Sequence, residues 1–185
     1  MHILRIVAVA LLATVLYGIL LDQVTARICV EYFTIGHVRL IDSESPAVLA
    51  LFWGVVATWW AGLPFGIGLA FASRLGRRPK LVWQQLLKPI GILMGCMFLF
   101  AFLAGLTGFF LAKSETVRLV GEIAYRVPSE KHVPFITDLW AHCASYLGGV
   151  VGGVLLWFVT WFKLRKPVFG SSSADASLAS PAGLG

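Results

Sequence analysis

The chain has 185 residues, of which 58% are hydrophobic and only 13% charged, about half the charged share of a soluble domain; its mean hydropathy is +0.84. Charges are rarely buried without partners, so the deficit excludes an ordinary water-soluble globule and points to lipid around most of the surface. The net charge of +6 does not indicate nucleic acid, because the basic residues stand in short segments flanking apolar runs, the pattern of a topology signal.

The first apolar run, 3–21, is long enough to cross a bilayer, which takes about 20 helical residues. Met1 to Arg5 and the small residues Val24-Thr25-Ala26 give it features of a cleaved signal peptide. Against cleavage, the run exceeds the usual apolar core of a signal, and Asp22 and Gln23 interrupt the approach to the cleavage site. It is therefore read as a retained span. The loop that follows carries Glu31, His37, Asp42 and Glu44. Ser45-Pro46, an N-cap followed by proline at the first helical position, opens the second span, 47–72. Pro64 inside it predicts a kink. Trp59 and Trp60 fall near mid-membrane as packing or lipid-facing residues.

The next segment carries Arg74, Arg77, Arg78, Lys80 and Lys88 and no acid. Leu81, Trp83, Leu86 and Leu87 suggest a short surface helix there. Lys88-Pro89 opens the third span, 89–112. Beyond it, Val117, Val120, Ile123, Ala124 and Val127 recur at helical spacing, with Arg118, Glu122 and Arg126 four residues apart on another face. This predicts a short amphipathic helix over 115–127, lying on the outer surface and limited by Pro128. Asp138 stands at the start of the fourth span, 139–162, where a carboxylate meets the positive end of the helix dipole. Trp157 and Trp161 fall where an aromatic belt is expected. Residues 167–185 are small, polar and low in complexity and are read as a disordered cytoplasmic tail.

The fold class is thus an all-α membrane protein, with four transmembrane helices in one bundle over 1–166. Acid-free basic segments at 73–88 and at Lys163, Arg165 and Lys166, against acids mixed with bases in the other two loops, place both termini and the middle loop in the cytoplasm. The expected location is a bacterial inner membrane. Cys29, Cys96 and Cys143 are isolated and offer no thiol-redox or zinc-knuckle spacing. The fourth span holds Gly148, Gly149, Gly152 and Gly153 on adjacent ridges, which lets a neighbouring backbone approach closely. Such ridges serve helix packing within the bundle, a homodimer seam or a cleft for a lipid chain.

One polar constellation carries chemistry. Asp138, His142 and Tyr146 recur every four residues and share a helix face. Asp22, Glu31 and His37 come from the first loop on the same side of the membrane, and His132 precedes the fourth span. A metal site would need several such ligands to converge, with carboxylates orienting the imidazoles, and no HExxH or EF-hand pattern is present. The plainer reading has Asp138 capping its helix and bonding His142, which holds the first loop down.

Asp22-Gln23-Val24-Thr25, Glu31-Tyr32-Phe33-Thr34 with Gly36-His37, Ala57-Thr58-Trp59-Trp60-Ala61-Gly62, and Asp138-Leu139-Trp140-Ala141-His142 with Ser145-Tyr146 together resemble the landmarks of a family of uncharacterised small bacterial four-span membrane proteins. The family pattern often has Ser-Pro before the Glu-Tyr-Phe element, where this chain has Cys29-Val30, so the resemblance assigns Cys29 no role. It implies architecture and no activity.

The sequence therefore supports a non-enzymatic protein that binds a partner or lipid through its extracytoplasmic loops. The alternative is an extracytoplasmic-facing metal- or cofactor-binding protein, or enzyme, using Asp138, His142 and His37. A transporter ranks last, because a pathway needs intramembrane polar groups and here they gather at one end. The partners implied are the bilayer itself and a second copy or another membrane protein, with no nucleic acid; no cofactor or metal is specified.

Overall fold

The computed structural model describes residues 1–165, so the predicted tail lies outside the described residues. The described chain is helical throughout, with no strand among the described residues. It comprises α1 (His2–Ile28), α2 (Val30–Thr34), α3 (Pro46–Val56), α4 (Trp59–Arg74), α5 (Trp83–Lys113), α6 (Glu122–Arg126) and α7 (His132–Val159). A 3-10 turn, Ser129–Lys131, leads into α7, and a π turn, Thr160–Leu164, follows it. Three helices are long and apolar enough to cross a membrane, and the α3–α4 pair supplies a fourth as one bent span. Leu12, Leu16, Leu99, Phe102, Val150 and Leu155 stand exposed on the outside, as expected of a multi-pass membrane protein whose surrounding solvent is lipid.

The spans alternate in direction and form a four-helix bundle. α5 makes its longest contact with α7, and α1 lies along α3 and α4. One end, here the polar end, carries α2, α6 and the acidic loops. Its core packs Tyr32, Phe33, Leu49, Trp53, Val127 and Phe135. The other, basic end packs Ile6, Leu69, Leu81, Leu86, Ile90 and Leu156. The basic end is locked by Arg165, whose buried guanidinium donates to the carbonyls of Ala72 (3.0 Å), Leu75 (2.7 Å), Arg78 (2.9 Å) and Pro79 (2.8 Å). Those carbonyls lie at the end of α4 and in the turn after it, where a helix leaves acceptors without partners.

Several sequence-based boundaries move. α1 runs seven residues beyond Leu21 and takes Asp22 and Thr25 into the helix, because both find buried hydrogen bonds there. α5 starts at Trp83, not at Pro89: the Gln85 side chain accepts from the Val82 amide (2.9 Å) at its first turn, and the expected surface helix is simply this start. The second span does break, but at Ala57–Thr58, six residues before Pro64, with a bend of 41°. Thr58 lies against Gly18 of α1 at the break, and its hydroxyl takes the Gly54 carbonyl. α7 begins at His132, so Asp138 lies almost two turns inside and does not cap the helix.

The outer amphipathic helix is only Glu122–Arg126. Glu115 and Gly121 have positive φ (58° and 68°), which an α-helix cannot accommodate. Arg118 turns back to Glu115 (2.6 Å), leaving Glu122–Arg126 (3.9 Å) as the remnant of the expected ladder.

The glycines of α7 face neighbours within the chain. A methyl group on Gly148 would stand 3.3 Å from Phe100 and one on Gly153 3.3 Å from Phe65; Gly149 meets Met97 and Gly152 meets Leu93. All four contacts are with side chains. The closest backbone approach between spans is elsewhere: a Cβ on Gly54 would stand 2.5 Å from Ile19 Cα and 2.6 Å from Ile19 N.

Candidate functional site

α1 and α7 meet through a buried polar contact below the polar end. His142 uses both ring nitrogens. Nδ1–H donates to the Asp138 backbone carbonyl one turn earlier (2.8 Å), and Nε2 lies 3.1 Å from Asp22 Oδ1. The first bond fixes the ring's orientation along its own helix, so the second reaches across to α1. The expected side-chain pairing of Asp138 with His142 is therefore replaced: Asp138 supplies its main chain, and Asp22 supplies the carboxyl. Beside this pair, Tyr17 and Ser145 join hydroxyls at 2.8 Å. Tyr32 stacks on the His142 ring at 4.6 Å with the planes 26° apart. Through that stacking His142 packs against α2 of the first loop.

Asp22, His142, Tyr17 and Ser145 border a small chamber, lined also by His37, Trp53, Thr58 and Tyr146, with about 20 Å³ of space open to the centre of a water molecule. That is room for about one water. His37 donates from Nδ1 to the Tyr32 carbonyl (2.9 Å) and lies beside Phe33 and Trp53. Burial holds its imidazole below the ordinary histidine range, against the raising effect of that bond. Glu31 is not in the chamber. It pairs with Lys131 (3.1 Å), tying the first outer loop to the start of the fourth span, and accepts from Cys29 Sγ (3.4 Å). Burial raises the Glu31 carboxyl, but bonds from its own amide, Lys131 and Cys29 outweigh this and hold it below the ordinary range. Burial pushes the Cys29 thiol up to about 12, which leaves it unreactive. His132 bonds the carbonyls of Ala124 (3.2 Å) and Val127 (3.0 Å) and so anchors α6.

The structure thus brings Asp22, His142, His37 and Tyr146 together and separates Glu31 and Asp138 from them. Among the described residues, no three His, Cys, Asp or Glu side chains converge as metal ligands.

Asp138 forms part of a different feature. It is fully buried, and neither carboxyl oxygen has a hydrogen-bond partner. It stands in the wall of a groove between α1, α5 and α7, a cavity of about 320 Å³, within the range of small-molecule sites. The groove runs along α5 from Phe98 to Phe109, roughly 17 Å at 1.5 Å per residue, and is walled by Leu21 and Val24 of α1 and Ala141 of α7. Val24, Ile28, Phe98, Phe102 and Leu106 are partly exposed along it, so it opens sideways, where lipid would be. No sequence pattern marks this groove. Its phenylalanines stand in a uniformly apolar helix, where no pattern separates a groove wall from an ordinary lipid face. Comparison of the chain with protein-family models, curated proteins and solved structures finds no match in any of the three.

Proposed function

We propose that this protein is a non-enzymatic lipid-binding protein of the bacterial inner membrane, with its basic end cytoplasmic and its polar end extracytoplasmic. The observation that carries the reading is the lateral groove, apolar along its whole length. Acyl chains surround such a groove in a bilayer, and dispersion contacts with its phenylalanines favour a chain that lies in it. The basic loop with Arg74, Arg77, Arg78 and Lys80, and the mixed-charge loops at the other end, support the orientation. The Asp22–His142 contact supports a structural role for the chamber, because both nitrogens of the best candidate ligand are already engaged.

The test is a photo-crosslinking amino acid at Phe102, in the groove mouth, irradiated in native membranes. Lipid-sized mass additions at that position are expected. Failure to find any lipid adduct, with protein-sized crosslinks in their place, would replace the lipid by a protein partner.

A further inference from the structure

We propose that the turn between α4 and α5 binds the headgroup of an anionic phospholipid through Arg77 and Lys80. The site does not depend on the groove, which is walled by the polar-end parts of α1, α5 and α7. Arg5, Arg74, Arg77, Arg78, Lys80 and Lys88 all stand at the basic end, and no acid stands there among the described residues. The positive-inside rule counts such charges by their place in the sequence and asks nothing of their fold. Here the segment that carries them is folded. Arg74 donates to the Leu81 carbonyl (2.9 Å) and the Leu81 amide to the Ser73 carbonyl (3.1 Å), which closes the turn on itself. Arg165 of the fourth span holds four carbonyls of the α4 end and this turn from within. Arg78 donates to the Trp161 carbonyl (2.5 Å) and lies over the rings of Trp161 and Phe162, 5.7 and 5.3 Å from their centres. Three arginines thus fix the turn against the end of the fourth span. Arg77 and Lys80 stand exposed on it and form no ion pair among the described residues.

The surroundings decide what kind of anion fits. Leu75, two residues before Arg77, and Phe162, beside Arg78, are each more than half exposed. Cations and bare apolar side chains therefore share one surface at the end of the spans, the level at which headgroups meet acyl chains. A phospholipid covers both: its phosphate accepts from the guanidinium and the ammonium, and its chains lie against Leu75 and Phe162. A free phosphate or an acidic soluble partner answers the charges and leaves the apolar side chains in water. A zwitterionic headgroup brings its own cation and gains less from the acid-free surface, so the partner is a lipid of net negative charge.

The experiment titrates the full-length protein in mild detergent with phosphatidylglycerol or with phosphatidylcholine of the same chains, and reads the bound lipid by native mass spectrometry at low salt. Phosphatidylglycerol is expected to bind more tightly, by about fivefold for each of the two side chains. Arg77→Gln/Lys80→Gln loses the preference, still binds phosphatidylcholine and melts like the wild type, while Arg77→Lys/Lys80→Arg, which keeps both charges, retains it. If the double glutamine variant does not accumulate, each single variant is expected to lose about fivefold. Equal binding of the two lipids by the wild type, or a preference unchanged in the glutamine variants, overturns the proposal. Displacement of phosphatidylglycerol by an equal concentration of glycerol phosphate overturns it in favour of a soluble phosphate. Failure of lipid crosslinking at Phe102 would remove the groove and leave this headgroup site standing.

Discussion

Asp22 and Asp138 lie at matching depths on neighbouring helices, six residues inside the polar-end terminus of α1 and α7, about 9 Å at 1.5 Å per residue, and they meet opposite surroundings. Asp22 holds His142 across the helix interface, beside a small chamber bordered by Tyr17 and Ser145 and under the stacked ring of Tyr32. Asp138 is buried to the same degree, yet its carboxyl oxygens have no hydrogen-bond partner. A satisfied buried polar group specifies how two helices meet. An unsatisfied one costs stability and fixes no such contact. Both residues were candidates for the same site; the structure makes Asp22 a pin between helices and leaves the Asp138 carboxyl without a hydrogen-bond partner.

The largest effect should come from breaking the pin. Asp22→Ala or His142→Leu strands the other member of a buried pair, which costs about 3–5 kcal/mol, and His142→Leu also removes the stacking partner of Tyr32. Each should lower the melting temperature in detergent sharply. The double variant Asp22→Leu/His142→Leu should recover much of the loss, because neither group is then left alone. If the single variants melt like the wild type, the two carboxyls are not different in kind.

Next comes the seam that brings α1 against the second span. Gly54→Leu drives a side chain into the backbone of Ile19 and should cost about 1–3 kcal/mol. Gly152→Leu meets only the movable end of Leu93 and should cost less. Melting of the two side by side ranks the seams, and the reverse order would restore the α7 glycines as the tightest contact.

A smaller effect concerns pH. The unfolded chain takes up a proton on His37 near 6.5, whereas burial depresses the folded value below that. Stability from this group is therefore complete above about pH 6.5 and is lost as pH falls through that value toward the folded one. His37→Phe should flatten the acid side of the melting profile just below 6.5. An unchanged profile would show that His37 is not held neutral by the fold.

The architecture was legible because it rests on long apolar runs and on charge asymmetry, both of which are local. Pro46 at the start of α3 and the short α6 were readable for the same reason. What could not be read depends on contacts distant in sequence. The partner of His142 is 120 residues away on α1, while Asp138, four residues away, offered an apparent match that the helix satisfies through its main chain instead. The break at Ala57–Thr58 arises where α1 approaches Gly54, whereas Pro64, the visible signal, sits inside an unbroken helix. Arg165 reads as one more topology charge, and only the fold reveals it as the cap of α4. The groove was invisible because an apolar wall and an apolar lipid face have the same composition.

The most direct measurement is the melting temperature of purified Asp138→Leu beside that of the wild type and Asp22→Ala. Removing a buried carboxyl that has no partner should leave stability unchanged or raise it by about 1 kcal/mol or more, while Asp22→Ala falls steeply. A drop for Asp138→Leu comparable to that for Asp22→Ala would contradict the account, because it would make Asp138 a second structural pin and not an unpartnered buried carboxyl.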